Sequence, residues 1–329
     1  MTELYDVAAI GNAIVDVIAP STDAFLDRES LVKGSMMLID DARAEQLYGV
    51  MGAGIEASGG SAANTVAGVA SLGGRAAYIG KVAADQLGEV FIHDINAIGV
   101  SYSTPPLSGG PATARCLINV TPDGQRTMST YLGASIHLTP DDIDAKTIES
   151  AKIIYLEGYL FDPSEARRAF AKAAGIARAS ERLIALTLSD SFVVHRHREA
   201  LLGFIDSEVD ILLANEAELT ALFETTSFDT AVRSLRGRAK LAAVTRGEKG
   251  STVIAGDNIQ DIAVVPVEKV VDTTGAGDQY AAGFLYGLSQ GRSLDVCARL
   301  GHLAAGEVIT HYGPRPQVSL KDLTIAAGL

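Results

Sequence analysis

Val270–Leu288 has the sequence VVDTTGAGDQYAAGFLYGL, in which the small residues Gly275-Ala276-Gly277 directly precede a segment with helical apolar spacing. We expect a glycine turn that leads into a helix over Ala276–Leu288. Glycines allow tight turns and the close approach of a ligand. The first turn of a helix exposes unpaired N–H groups and a partial positive charge. This stretch therefore predicts an anion site suited to a phosphate group.

Asp278 falls in the first turn of the predicted helix, beside the anion site. A carboxylate there can accept a hydroxyl proton while the hydroxyl oxygen attacks phosphorus. The alternative role is that of a helix-capping residue after a glycine turn. The length of the motif and the small residues that follow it, such as Gly283, favour the role of catalytic base.

Short β-branched runs alternate with helical patterns over the rest of the chain. Strands are predicted at Val7–Ile10, Ala76–Ile79, Ile153–Leu156, Leu183–Leu188, Val209–Leu213 and Leu241–Val244, and helices at Ser61–Leu72, Leu87–Ile98, Ser164–Ala179, Phe192–Phe204, Glu216–Phe223 and Leu294–Thr310. Such alternation predicts an α/β fold with a mostly parallel central sheet covered by helices on both faces. We expect one domain over residues 1–329.

One region departs from this alternation. Thr113–Val120 and Arg126–Tyr131 have strand periodicity around TPDG, which predicts an antiparallel hairpin. Val15–Ala19 and Met36–Ile39 would add strands to the same small sheet. We therefore expect a β lid over the site, with strands from about 12–39 and 107–134.

Composition narrows the class of protein. The chain has 329 residues and a formal net charge of -13, which disfavours nucleic acid as a partner. Cys116 and Cys297 form no CxxC pattern, so we expect buried free thiols in a reducing cytoplasm. The first residues lack a basic region, and no apolar run reaches the ~18 residues that span a bilayer. We expect a cytoplasmic enzyme without a membrane partner.

Several motifs together resemble the ribokinase-like (pfkB) family of carbohydrate and nucleoside kinases. Asp272–Asp278, DTTGAGD, resembles the C-terminal signature of the family, and Gly59–Asn64, GGSAAN, resembles the N-terminal one. The resemblance continues through GNAIVD (Gly11–Asp16), NEAEL (Asn215–Leu219) and TRGEKG (Thr245–Gly250). It implies a three-layer ribokinase-like fold whose β lid closes over the substrate. It also implies transfer of the γ-phosphate of ATP to an alcohol group of a nucleoside or sugar.

The resemblance implies a role for individual residues. Asp278 would be the base, and Gly275, Ala276 and Gly277 would bind the transferring phosphate. Substrate would contact Asn12, Asp16, Gly60, Ser61 and Asn64, and ATP would contact Asn215, Thr245, Arg246 and Gly247. Glu218 would organise waters around Mg²⁺. Asp272, with the backbone of Thr274 and Gly313, would bind a monovalent cation such as K⁺. Arg126 would reach the transferring phosphate, the alternative being a solvated hairpin arginine.

The substrate is predicted from a branch of the family. GNAIVD, Gly158–Ala166 and Leu186–Phe192 resemble the adenosine kinase branch. Tyr131, Leu132 and Tyr159 are candidates for contact with a base, with ordinary core packing as the alternative. Glu157 occupies a position where sugar-specific relatives use a carboxylate. Ribose, fructose or a related sugar therefore stays an alternative to adenosine.

Parts of the sequence are compatible with other classes of protein. A non-catalytic nucleoside-binding protein would not require the base Asp278. Gly52–Ala57 formally fits the GxGxxA pattern of a dinucleotide-binding oxidoreductase, but no convincing strand precedes it. His195 and His197 are two residues apart on a predicted helix, where they do not share a face for metal binding. The predicted lid edge is compatible with either a monomer or a lid-mediated homodimer.

Overall fold

The computed structural model describes residues 4–329 and shows an α/β fold built on a nine-stranded sheet. Numbered along the chain and given in spatial order, its strands are Asn258–Ile262 (β14), Ser251–Ala255 (β13), Leu241–Thr245 (β12), Ile211–Asn215 (β11), Leu183–Thr187 (β10), Ala151–Glu157 (β9), Tyr5–Ile10 (β1), Ala76–Ile79 (β5) and Val100–Tyr102 (β6). Neighbouring strands are parallel from β12 to β6, whereas β12, β13 and β14 pair in antiparallel fashion.

Helices cover both faces of this sheet, as the three-layer prediction requires. The helices of the described residues, of which α2 packs against the lid, are Asp23–Arg28 (α1), Asp41–Val50 (α2), Ser61–Ser71 (α3), Gln86–Ala97 (α4), Ala145–Glu149 (α5), Ser164–Ala179 (α6), Ser191–Glu208 (α7), Glu216–Leu222 (α8), Phe228–Leu235 (α9), Ala276–Ser289 (α10), Leu294–Val308 (α11) and Leu320–Ala326 (α12). In β1, Ala8 and Ile10 pack into one core and Val7 and Ala9 into the other. Alternate side chains of a strand point to opposite faces, so both faces of the sheet are buried.

A second, five-stranded sheet forms the lid. Its spatial order is Met36–Leu38 (β3), Arg126–Tyr131 (β8), Ala114–Val120 (β7), Ile14–Pro20 (β2) and Ile55–Gly59 (β4). The antiparallel hairpin of β7 and β8 is confirmed. The strand β4 comes from outside the two predicted ranges and pairs antiparallel with β2. Because β4 follows Gly54 directly, the GxGxxA pattern does not enter a helix as a dinucleotide-binding turn would.

The two faces of the lid have different surroundings. Arg115 and Tyr131 are opposite each other in the β7–β8 pair, and Arg115 Nη2 lies 2.5 Å from Glu45 Oε1 on α2. Asp16 and Cys116 are partners in the β2–β7 pair, one residue out of phase with that face. The lid therefore directs Asp16 and Cys116 away from α2.

Two predictions about composition have a structural outcome. Cys116 and Cys297 are both free and buried, as expected. Over residues 4–329, none of the helices combines the length and the apolar character that crossing a membrane requires.

Candidate active site

The carboxylate of Asp278 lies where the first turns of α10 and α3 meet. Its Oδ1 accepts a hydrogen bond from Ser61 Oγ at 2.6 Å, and its Oδ2 accepts one from Asn64 Nδ2 at 3.1 Å. Burial raises the pKa of Asp278, although the hydrogen bonds from Ser61 and Asn64 oppose that rise. A carboxylate with a raised pKa is a better acceptor for a hydroxyl proton.

The two glycines of the turn before α10 differ in the space that surrounds them. Gly275 has φ +78°, and a Cβ on it would lie 2.6 Å from Pro314 Cα. The turn therefore requires glycine at this position. A Cβ on Gly277 would meet nothing within 4 Å. Open space at the first turn of α10 lets an anion approach the backbone N–H groups there.

Two cavities meet at Gly277 and share Thr245 and Tyr280 as lining residues. The larger, of about 890 Å³, also contacts Gly247 and Gly250 and has a mostly apolar wall. The smaller, of about 170 Å³, includes Ser61, Asn215, Glu218 and Asp278 in its lining. A nucleotide-sized space thus opens onto the carboxylate of Asp278 through the glycine turn.

Glu218 and Asn215 form a capping box at the start of α8. Asn215 Oδ1 accepts a hydrogen bond from Glu218 N at 2.8 Å, and Glu218 Oε1 accepts one from Asn215 Nδ2 at 2.7 Å. Burial raises the pKa of Glu218 to about 7. Within residues 4–329 there is no cluster of three or more His, Cys, Asp or Glu residues that would cage a metal. A single carboxylate beside the small cavity fits Mg²⁺ that is held through its waters.

Arg126 is buried and faces Asp272. Its Nε lies 2.9 Å from Asp272 Oδ2 in an ion pair whose geometry is not that of a hydrogen bond, and Nη1 and Nη2 have no hydrogen-bond partner among the described residues. The alternative of a solvated hairpin arginine is therefore wrong. Asp272 also accepts hydrogen bonds from Thr274 N at 3.0 Å and from Gly313 N at 3.3 Å. Because a guanidinium already neutralises this carboxylate, the residues do not fit the predicted monovalent cation here.

The floor of the site is held by Glu157. Glu157 Oε1 accepts hydrogen bonds from the backbone N and the Nδ2 of Asn12 at 3.2 and 3.1 Å, and Oε2 accepts one from Ala62 N at 2.9 Å. The side chain is 1% exposed, and burial raises its pKa to about 7. Both oxygens therefore bind the protein, which supports a positioning role. Contact between Glu157 and a sugar hydroxyl stays a prediction.

Asp16 and Gly60 complete the predicted substrate contacts. Asp16 reaches the site from the lid, and burial raises the pKa of its carboxyl to about 6 against the effect of Arg315 and Arg126. Gly60 has φ +97°, and a Cβ on it would collide with the carbonyl oxygen of Asn12. Glycine at this position lets α3 begin directly behind the site.

Two residues that were predicted to contact the substrate or ATP, Tyr131 and Arg246, pack against helices. Tyr131 lies opposite Arg115 on the face of the lid that α2 covers, so its placement does not support contact with a base, which stays a prediction. Arg246 Nε donates to Glu216 Oε2 at 3.1 Å, and its Cζ lies 3.8 Å from the centroid of the Phe228 ring. This contact directs Arg246 towards α8 and α9, whereas Thr245 and Gly247 line the large cavity.

The remaining candidates lie at the margin of the site or on the surface. Tyr159 OH donates to Ser189 O at 3.4 Å, and Ser189 lines the small cavity. Leu132 is half-buried just after β8. His195 is exposed, and His197 Nε2 lies 2.6 Å from Asp162 Oδ1.

Arg315 is a further residue of the site that was not predicted from the sequence. Its Nε donates to Asn64 Oδ1 at 3.2 Å, and its Nη1 donates to Ser58 Oγ at 2.6 Å. Its positive charge opposes the raised pKa values of Asp16 and Asp278. The available signal was its place in GPRP, two residues after Gly313, which the family resemblance had already singled out.

The fold and the site define a phosphotransferase that activates an alcohol. The chain belongs to the pfkB family of carbohydrate kinases, since the model of that family matches residues 6–320. It is an ATP-dependent kinase for a nucleoside or a sugar.

Several relatives are similar over nearly the whole chain. A solved structure of adenosine kinase from Sinorhizobium meliloti is 55% identical, with a TM-score of 0.92, and the match covers 98% of this chain and 99% of that one. A probable sugar kinase from Rhizobium etli is 50% identical, with a TM-score of 0.93, over 100% and 99% of the two chains. Adenosine kinase of Saccharomyces cerevisiae is 27% identical over 327 residues, 93% of this chain and 95% of the relative.

The open space at Gly277 leads to a prediction. Gly277→Ala is expected to lower kcat/KM for ATP about tenfold, because the added methyl group enters the space through which phosphate oxygens reach the first turn of α10. The thermal unfolding temperature should not fall, since alanine favours a helix more than glycine does. Steady-state kinetics and thermal unfolding measure the two effects.

Gly175→Ala is the matched control. Gly175 lies in α6, and a Cβ there also meets nothing within 4 Å. This variant should retain the kinetics of the wild type. Unchanged ATP kinetics in Gly277→Ala would show that the phosphates do not approach this turn.

Proposed function

We propose that this kinase phosphorylates the 5′-hydroxyl of adenosine. The observation that carries the proposal is the 55% identity to adenosine kinase from Sinorhizobium meliloti over 98% of this chain. The electrostatics of the site agree with such a substrate, because the base Asp278 is near enough to the lid carboxylate Asp16 for its charge to add to the rise in the pKa of Asp16.

The substrate hydroxyl that attacks phosphorus binds beside the carboxylate of Asp278. Its proton passes to the carboxylate of Asp278 while its oxygen bonds to the γ-phosphorus and the bond from that phosphorus to ADP breaks. Ser61 and Asn64 hold the carboxylate in position through their hydrogen bonds. Transfer then depends on alignment of the hydroxyl, the base and the phosphate rather than on covalent chemistry of the protein.

Charge on the transferring group is stabilised from two sides. The backbone N–H groups of Gly275 and Gly277 face it at the N-terminus of α10, whereas that of Ala276 donates to Thr273 O at 3.2 Å. Arg126 offers Nη1 and Nη2, which are buried and lack partners in the described structure, while Asp272 holds its Nε. Mg²⁺, with its waters ordered by Glu218, would neutralise the negative charge of the ATP phosphates.

A nucleoside gains more from this site than a free sugar does. Asp16 can accept hydrogen bonds from two neighbouring hydroxyls of ribose. A purine adds apolar and aromatic contact area, which can contribute a few kcal/mol that ribose and fructose cannot collect. We therefore propose adenosine above the sugars, although the 50% identity to a probable sugar kinase of Rhizobium etli makes a sugar the second candidate.

A competition assay tests the substrate. With ATP and Mg²⁺ saturating, kcat/KM for adenosine is expected to exceed that for ribose or fructose by about tenfold or more. Product analysis should locate the phosphate on the 5′-hydroxyl. Preference for a free sugar would contradict the adenosine proposal and would leave the kinase assignment intact.

A further inference from the structure

The guanidinium of Arg315 lies behind the base, in a position that the mechanism above does not use. We propose that Arg315 is a positioning residue that fixes the orientation of the Asn64 amide and thereby keeps a hydrogen-bond donor against Asp278. This inference rests on the proposed transfer of phosphate to a hydroxyl at Asp278. It concerns how the base is held and not which alcohol is the substrate.

The Asn64 side chain lies between a cation and an anion. Arg315 Nε is 3.2 Å from Asn64 Oδ1, and Asn64 Nδ2 is 3.1 Å from Asp278 Oδ2. Arginine can only donate hydrogen bonds, and an ionised carboxylate can only accept them. Rotation of the amide by half a turn would place two donors against each other and two acceptors against each other. The charges on both sides therefore select one orientation of the amide.

Arg315 is itself held from the lid side. Its Nη1 donates to Ser58 Oγ at 2.6 Å and lies 3.2 Å from Asp94 Oδ2. Ser58 belongs to the lid strand β4, and its backbone N also donates to Asp94 Oδ2, at 2.8 Å. One side chain thus connects the lid strand, α4 and the first turn of α3. A side chain held at three points loses little further freedom when it orients its neighbour.

The backbone around Arg315 is tied to the same helices. Gln279, the residue after the base, donates through Nε2 to Asn64 O and to Pro314 O, at 3.0 Å in each case. Gln279 is fully buried. The side chain of Gln279 on α10 therefore joins the segment that carries Arg315 to α3.

Arg315 also balances an acidic site. Six titratable groups interact electrostatically with Asp278. They are Arg315 before α12, Asp16 on the lid, Tyr155 and Glu157 on β9, Tyr159 and Glu218. Among these groups the guanidinium supplies the positive charge. Without it the carboxylate of Asp278 loses a positive charge that lowers its pKa, and its pKa is expected to rise.

Arg315→Met tests the inference, because methionine keeps an extended side chain and removes both the charge and the donors. We expect the acidic limb of the kcat/KM–pH profile to move to higher pH by about one unit. We also expect kcat, measured above that limb where the base is ionised, to fall about tenfold as the amide loses its fixed orientation. A residue that only stabilises the fold would not move the pH profile.

The control is Arg299→Met. Arg299 is an exposed arginine of α11 that pairs with Asp295 one turn away, and its loss should change neither kcat nor the profile. A folded Arg315→Met protein, judged by its thermal unfolding, that keeps the acidic limb and the kcat of the wild type would overturn the proposal.

Arg315→Lys provides a second variant if Arg315→Met does not fold. Lysine retains the charge but has no planar fork, so the acidic limb should stay in place while kcat falls by about threefold or more. An unchanged kcat in Arg315→Lys would contradict the positioning role. The profile is measured with whichever alcohol the wild-type enzyme accepts best. Rejection of adenosine by the wild type would thus overturn the substrate proposal alone.

An Asn64→Ala background shows whether the effect on kcat passes through the amide. At a pH above the acidic limb, the double variant should have a kcat that is less than about twofold below that of Asn64→Ala alone. If the fold reductions in kcat of Asn64→Ala and Arg315→Met multiplied in full, Arg315 would not act through Asn64, and the proposal would be overturned.

Discussion

Asp278→Asn is expected to lower kcat by ~10²–10⁴-fold, the usual contribution of a positioned general base. Asparagine has nearly the same shape, and its Oδ1 can still accept the hydrogen bond from Ser61 Oγ. It has no carboxylate oxygen to take the proton from the attacking hydroxyl. The dissociation constants of ATP and of the alcohol substrate should change little, since neither depends on proton transfer. Steady-state kinetics and calorimetric titration with each ligand measure the two quantities.

The matched control is Asp295→Asn. Asp295 is also an acidic residue in the first turn of a helix, α11, but it is only half-buried and pairs with Arg299. Its loss should leave kcat unchanged. If Asp278→Asn turned over within about threefold of the wild type, Asp278 would not be the base.

The large sheet and its helices could be predicted because their signals are local. Ser164–Ala179 and Ala76–Ile79 have the same bounds in the prediction and in the structure. An amphipathic helix and a buried strand between turn residues both carry their period in the sequence. The same holds for the antiparallel hairpin around TPDG.

Besides the three-residue edge strand Val100–Tyr102 (β6), two groups of strands were missed, for different reasons. Ile55–Gly59 (β4) has the sequence IEASG, which has little strand propensity of its own and is a strand because it pairs with β2. Ser251–Ala255 and Asn258–Ile262 form a hairpin around Gly256, which has φ +59°. In that case the turn signal was present in the sequence and was overlooked.

The motifs located the proposed base, Asp278, but not the residues that hold it. Asn64 was predicted to hydrogen-bond sugar hydroxyls and Ser61 to close against the sugar ring, and both contacts stay predictions. The structure shows in addition that both side chains donate to Asp278, more than 200 positions away in the chain. No spacing along the sequence reveals such a contact. The side of the lid on which Tyr131 lies depends on strand phase, where a shift of one residue reverses the face.

The lid carboxylate Asp16 is expected to show opposite effects on binding and on stability. Asp16→Ala should weaken binding of the nucleoside by ~1.5–3 kcal/mol, because the ribose hydroxyls lose a charge-assisted acceptor. Binding of ATP should be almost unchanged, since Asp16 is absent from the walls of the large cavity. Calorimetric titration of the same preparation with each ligand separates the two. Equal losses for both ligands would show that Asp16 supports the fold instead.

Stability should move in the other direction. Burial raises the pKa of Asp16 from 3.8 to about 6, so the folded protein favours the protonated form. A carboxyl with a raised pKa in the folded state makes the protein less stable as the pH rises from about 4 through about 6. At pH 7–8 the ionised Asp16 therefore costs stability, and the thermal unfolding temperature of Asp16→Ala should equal or exceed that of the wild type.

Asp123→Ala is the control, because this exposed lid carboxylate pairs with Lys33, which lowers its pKa to about 2. It should leave nucleoside binding intact and give no gain in unfolding temperature. A lower unfolding temperature for Asp16→Ala than for the wild type at pH 7–8 would contradict the view that Asp16 is kept for binding at a cost in stability.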